Sequence, residues 1–210
     1  MTDQPRRSRI QIRNEEAILK AARTVFAQSG FRGATLERIA ELADMSQPNL
    51  HHYFKTKSDL YTAVLGRTLD IWLQPLESFD PHGDPREEIT RYIEAKLELS
   101  RREPDASRVF AYEMLDGGSF LRKDVQTRVK QHADHFAATL TRWAGEGKIR
   151  PVDPHHLLFL IWASTQHYAD FAPQVRFLSG ESRLSKACFQ RIRDSLCGIV
   201  LNGIVAPLPA

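Results

Sequence analysis

Residues 35–60 read TLERIAELADMSQPNLHHYFKTKSDL, and this stretch decides the fold. Leu36, Ile39, Ala40 and Ala43 fall on one face at helical spacing. Thr35 stands where a side-chain oxygen would accept from the free N–H groups of a helix start. A second short helix opens at Ser46, another N-cap residue. Pro48 lies in its first turn, where a missing N–H does little harm, and the helix ends near Tyr53. From Thr56 the run Thr56-Lys57-Ser58-Asp59 has the capping-box spacing, and Leu60, Val64 and Leu65 begin a longer apolar stripe. Two short helices, a tight turn between them and a third helix behind them form a helix-turn-helix pattern.

The middle helix carries the chemistry. Gln47, Asn49, His51 and His52 can donate to or accept from base edges and phosphates, and no catalytic step calls for such a set. A solvated helical hairpin inside an ordinary bundle is the alternative on pattern alone. Residues 14–65 weigh against it. They include Phe26, Gly30-Phe31, Thr35-Leu36, Ile39-Ala40, Ser46, Leu50, Tyr53-Phe54, Lys57 and Leu60, and they closely resemble the DNA-binding domain of TetR-family transcriptional repressors. The resemblance implies DNA contacts from Thr35, Ser46, Gln47, Pro48, Asn49, His51, His52, Tyr53 and Lys57. One departure is His51, where many members of that family place tyrosine. A histidine there can still donate one hydrogen bond.

Composition sets the outer bounds. The chain has 210 residues, 42% hydrophobic and 26% charged, ordinary values for a soluble globular protein, and no apolar run reaches the 18 residues of a membrane span. The N-terminus is polar and rich in arginine with no apolar segment behind it, so no secretory signal is read and a cytoplasmic address is expected. Net charge is +3. Residues 1–57 hold ten Lys or Arg against six Asp or Glu, a balance of +4, and the remainder is close to neutral. The basic end is the motif end, as phosphate neutralisation would require. The division expected is 1–57 for an arm and the helix-turn-helix, and 58–210 for a larger helical domain.

Along the chain, residues 1–13 carry Arg6, Arg7, Arg9 and Arg13 and read as a disordered arm, either entering the minor groove or simply solvated. A bracing helix follows from Asn14 to Ser29, with Gly30 as its stop. The helix from Lys57 passes Leu65, Leu69 and Trp72 and should break at Pro75. It is the expected mechanical coupler, with Lys57 at the phosphate end. A loop over 78–85 precedes a helix from Arg86 to Arg102, and another helix runs from Asp105 to Leu115 before Gly117-Gly118. Val125, Val129, His132, Phe136, Leu140 and Trp143 form a long amphipathic stripe. No strand alternation occurs, so the fold class is all-α.

Residues 157–163, LLFLIWA, are apolar all the way round and call for cover on both faces. The last helix, with Phe189, Ile192, Leu196, Ile199, Val200 and Gly203, offers a second apolar stripe. These last two helices could pack within one subunit or pair with their copies in a homodimer, whose two reading heads would meet two half-sites of a palindromic operator. Cys188 and Cys197 are nine residues apart on a helix, about 180° around it, so they cannot bridge each other and read as core residues.

After its apolar run the penultimate helix turns polar at Ser164, Thr165, Gln166, His167, Tyr168 and Asp170. Buried polar groups must find partners in protein, water or ligand. Gln166 lies one turn after Trp162, on the inward side, and its amide both donates and accepts. Several further segments are similar to pyrimidine-responsive repressors within the TetR family: DIWLQPL (70–76), Ser107-Arg108, Glu113-Met114-Leu115, Asp153-Pro154 and IWASTQHYADFAPQV (161–175). That resemblance implies a planar pyrimidine, uracil or thymine, as the small-molecule inducer, with Trp72 and Gln166 at its pocket. Trp72 could equally be plain core. Phe110, Met114 and Tyr168 are further pocket candidates by type and neighbourhood. The expectation is a ligand-released repressor, with a regulator of different inducer or a helical adaptor that binds no DNA as alternatives. No cofactor and no metal is expected. An enzyme is disfavoured, since there is no Glu-x-x-His pair and no phosphate-cradling glycine loop.

Overall fold

The computed structural model describes residues 8–180 and 185–205, and within them the chain forms ten α-helices. In order they are α1 (Arg9–Gly33), α2 (Leu36–Leu42), α3 (Gln47–Tyr53), α4 (Lys57–Glu77), α5 (Pro85–Arg102), α6 (Pro104–Leu115), α7 (Lys123–Gly145), α8 (Pro154–Asp170), α9 (Ala172–Ser179) and α10 (Lys186–Ile204). A single antiparallel bridge, Ile149 with Val205, is the one β-type pairing among the described residues. The all-α expectation holds.

Two compact units emerge. One comprises the chain to Thr68 together with Arg108–Arg122, and the other Leu69–Ser107 together with Lys123 onward. The division therefore falls eleven residues beyond the expected 57/58 boundary and adds a segment of α6 and the loop behind it to the first unit. Helices α4 and α6 each contribute to both units.

The first unit is organised by local signals. Ser8 caps α1 in a reciprocal box: its hydroxyl accepts from Gln11 N–H at 3.2 Å while the Gln11 amide oxygen accepts from Ser8 N–H at 2.8 Å. The helix thus begins five residues before the expected start. Arg9 and Arg13 belong to it rather than to a disordered arm, while Arg6 and Arg7 lie outside the described residues. At Gly30 the backbone leaves helical geometry with φ 64° and ψ 179°, a conformation that suits glycine. Thr35 and Ser46 cap α2 and α3 as expected, accepting from Arg38 N–H at 3.3 Å and Asn49 N–H at 3.4 Å. The turn between these helices passes through Asp44 at φ 54°, a left-handed position that aspartate tolerates better than most residues. Thr56 and Asp59 close a second reciprocal box, with bonds of 3.0 and 3.1 Å. Ile18, Ala22, Phe26, Ile39, Leu50, Leu60, Tyr61 and Val109 form the core of this unit.

In the second unit α5 packs against α8 and α10, and α7 against α8. Helix α4 does not stop at Pro75 but runs two residues further, because proline this near a C-terminus sacrifices only one hydrogen bond. Phe79, Tyr92, Phe136 and Trp143 form an aromatic cluster with ring centroids 5.0–6.1 Å apart. Trp143 is fully buried, its N–H donating to Pro81 O at 3.2 Å. Arg128 of α7 pairs with Asp70 at 2.8 Å, and His132 meets Glu77 at 3.3 Å, so this histidine of the α7 stripe has a carboxylate partner on α4. Cys188 and Cys197 are buried and form no disulfide with each other, as the helical arithmetic requires. Among the described residues no helix is long and apolar enough to cross a membrane, and no cluster of His, Cys, Asp or Glu could hold a metal ion.

Candidate nucleic-acid interface and effector site

Helix α3 is held by one buried residue, Leu50, which fastens it to the core of the first unit. The other side carries Pro48, Asn49 and His52, all exposed, flanked by half-buried Gln47 and His51. The side chains of Gln47, Asn49, His51 and His52 make no protein hydrogen bond among the described residues. A seven-residue helix thus presents a row of unspent donors and acceptors, the type of group that reads base edges in a major groove.

The remaining candidates of this head are already engaged. Tyr53 accepts from the Asn14 side-chain amide at 3.0 Å, tying the end of α3 to α1. Lys57 donates to Ala34 O at 3.0 Å and rests over the Phe31 ring at 4.6 Å, so its ammonium is held against the protein. Thr35 and Ser46 use their hydroxyls as caps. These four residues position α2, α3 and α4 before any partner is met.

The five effector candidates divide between the units. Phe110 and Met114 lie on the part of α6 that belongs to the first unit, Phe110 half-buried and Met114 exposed. Trp72, Gln166 and Tyr168 belong to the second. Tyr168 packs toward Phe189, with centroids 6.2 Å apart, and burial raises the pKa of its hydroxyl. It acts as part of the apolar core beside α10.

Trp72 is different. It is buried, yet its indole N–H has no hydrogen-bond partner, and one face of its ring is covered by the ammonium of Lys96, 3.6 Å from the centroid. Lys96 follows Tyr92 by one turn of α5, and Ser100 follows by one more, so all three share a face. On α8 the residues Trp162, Gln166 and Asp170 repeat at the same interval. The two rows meet: Trp162 N–H donates to the Tyr92 hydroxyl at 2.6 Å, and Asp170 lies near enough for its charge to favour the Lys96 ammonium. Asp170 accepts from the Ser107 hydroxyl at 2.5 Å. Gln166 sits between Trp162 and Asp170 on that row, half-buried, with its amide free of protein hydrogen bonds among the described residues.

Burial dominates the electrostatics here and drives the Lys96 pKa far down, with Asp170 opposing in part. Burial likewise holds the Tyr92 hydroxyl protonated, although its bond from Trp162 acts the other way. Ser100 Oγ is a second buried polar atom without a partner. Lys96, Ser100, Ser107 and Asp170 were not among the residues expected from sequence. A lysine at an apolar position of α5, between Ile93 and Leu97, was the visible signal.

The fold places the chain first in a class: a helix-turn-helix protein with a larger helical second unit. Residues 18–64 match the family model of bacterial regulatory proteins of the tetR family, and residues 65–207 match that of the YcdC-like protein C-terminal region. The chain is 45% identical over 199 residues to the HTH-type transcriptional regulator RutR of Escherichia coli K12, covering 95% of this chain and 94% of that one. The ketosteroid transcriptional regulator KstR2 of Mycobacterium tuberculosis superposes with a TM-score of 0.72 at 21% identity over 92% of this chain and 95% of that one. A complex of AibR with isovaleryl coenzyme A and operator DNA superposes at 0.68 and 18% identity, covering 89% and 97%. The chain belongs to the TetR family and is a transcriptional regulator, not an enzyme.

Proposed function

We propose that this regulator represses transcription by binding a palindromic operator as a homodimer, and that it leaves the operator when a pyrimidine such as uracil or thymine occupies the second unit. The observation that carries the effector is the buried Trp72 N–H without a partner, on the helix that begins at Lys57. A pyrimidine supplies carbonyl oxygens that this N–H can reach for and an alternating edge that suits the amide of Gln166. The similarity of residues 70–76 and 161–175 to pyrimidine-responsive repressors supports the same choice.

DNA binding rests on the unspent polar groups of Gln47, Asn49, His51 and His52, with Thr35, Ser46, Pro48, Tyr53 and Lys57 holding the helices that present them. Dimerisation rests on the outward faces of α8 and α10. Phe159, Leu160 and Ile199 are exposed at 53%, 52% and 69% within the single chain, on helices whose other faces are core. A second copy covers such faces and sets the spacing of two reading helices. Release requires that the effector bind one arrangement of the dimer better than the other. Helix α4, carrying both Lys57 and Trp72, is the element through which that preference is transmitted.

Footprinting on the DNA upstream of the protein's own gene tests this reading. Two symmetric protected half-sites that disappear on adding uracil support it. Protection that persists with uracil identifies a TetR-type regulator with another effector.

A further inference from the structure

We propose that Lys96 is an effector-contacting residue that selects a pyrimidine with carbonyl groups at both ring positions 2 and 4 over one bearing an amino group. The proposal rests on the reading that the second unit takes a pyrimidine, and it deepens that reading. Lys96 is 3% exposed, and its ammonium has no hydrogen-bond acceptor and no carboxylate at salt-bridge distance among the described residues. Its contact is the face of Trp72. A lysine this deeply set, with an indole face as its contact, is costly to bury, and proteins keep such groups where a ligand completes them.

Two further donors stand beside it. Trp72 Nε1 and Ser100 Oγ are buried without partners, the first on the ring that Lys96 covers and the second one turn along α5. The indole can only donate, and the Lys96 amine offers N–H groups whether charged or neutral, so the α4 and α5 side of the site asks for acceptors. The α8 side supplies acceptors of its own in the Gln166 amide oxygen and the Asp170 carboxylate, the latter anchored by Ser107. A 2,4-dioxo ring matches this division, since its two carbonyl oxygens accept and its two ring N–H groups donate. Cytosine replaces the carbonyl at position 4 by an amino group, which brings a donor toward a wall of donors and leaves Lys96 unanswered. The occupied face of Trp72 adds a geometric condition. With Lys96 lying over it, that face is closed to stacking, so the ligand engages the edge of the indole through Nε1.

Isothermal titration of the full-length protein with uracil, thymine and cytosine provides the test, using wild type, Lys96→Met and Lys96→Gln, with helical circular dichroism as the check of folding. Wild type should bind uracil and thymine, with cytosine weaker by roughly a hundredfold or more. Lys96→Met should weaken uracil by about 10- to 150-fold and narrow the gap to cytosine, and Lys96→Gln, which keeps a donor, should restore part of both. Equal uracil affinity in wild type and folded Lys96→Met, or an unchanged uracil-to-cytosine ratio, overturns the role of Lys96 and leaves the pyrimidine reading standing. A wild type that does not bind uracil overturns the pyrimidine reading, and this proposal with it.

Discussion

The Lys96 ammonium lies 3.6 Å from the centroid of the Trp72 indole, so that a buried cation and a buried, unpartnered N–H donor share one site between α4 and α5. The pair does little for folding in isolation, because burying a charge costs several kcal/mol and a cation–π contact returns about 2 kcal/mol. Function explains its retention better than stability does.

Replacing Lys96 should therefore stabilise the protein. The unfolded chain holds the Lys96 proton at an ordinary 10.5, whereas burial lowers the folded value well below that. Below pH 10.5 protonation thus favours unfolding, and the stability of the wild type rises with pH toward that value. Lys96→Met should gain about 1–4 kcal/mol at pH 7. The gain should shrink as pH approaches 10.5. Denaturant unfolding at pH 7 and 9.5 measures both.

Trp72→Phe keeps an aromatic face and removes the N–H together with the five-membered ring that carries it. Loss of a buried donor that has no partner favours the variant, and the smaller ring leaves buried volume unfilled, so the two effects oppose and stability should change by no more than about 2 kcal/mol. Its affinity for uracil should fall about tenfold, the worth of one hydrogen bond. Titration calorimetry beside a thermal melt separates the two effects.

In the reading head, Asn49→Ala should cost about 1–3 kcal/mol of operator affinity and leave stability unchanged, because the Asn49 side chain is exposed and makes no protein bond. Ser46→Ala should do the reverse at first hand. It removes the cap of a seven-residue helix and lowers stability by about 1 kcal/mol, with DNA binding falling as a result. Anisotropy with labelled upstream DNA and a urea melt distinguish the two.

Ile199→Asp should produce a monomer. The residue is exposed at 69% in the single chain, so a carboxylate there is harmless to the fold of one subunit. In a dimer it would be desolvated, and the dimer dissociation constant should rise about thirtyfold or more. Sedimentation velocity reads the result, and operator affinity should fall with it.

What the sequence made legible was local. Thr35, Ser46 and Thr56 announce their helices because capping uses atoms three residues away. The opposed positions of Cys188 and Cys197 follow from helical rotation alone. The early start of α1 was obscured because Ser8 and Gln11 cap a segment whose arginines resemble a solvated tail. Pro75 misled because its effect depends on how much helix remains after it. The candidate effector site is half legible: Trp72 and Gln166 stand out by type and by resemblance, and Lys96 is visible as a charge on an apolar stripe. The bond from Ser107 to Asp170 joins residues 63 positions apart and depends on how α6 and α8 are packed, which no local pattern states. Phe110 and Met114 stand out by type alone, and they lie on the part of α6 that groups with the first unit.

The most direct test of the central claim is fluorescence anisotropy of labelled upstream DNA bound by the purified protein, at fixed salt, during a titration with uracil. The account predicts a saturable fall to the value of free DNA, and a shift of that fall to higher uracil concentration in Trp72→Phe. Anisotropy that stays constant as uracil rises, with the DNA demonstrably bound, would contradict it.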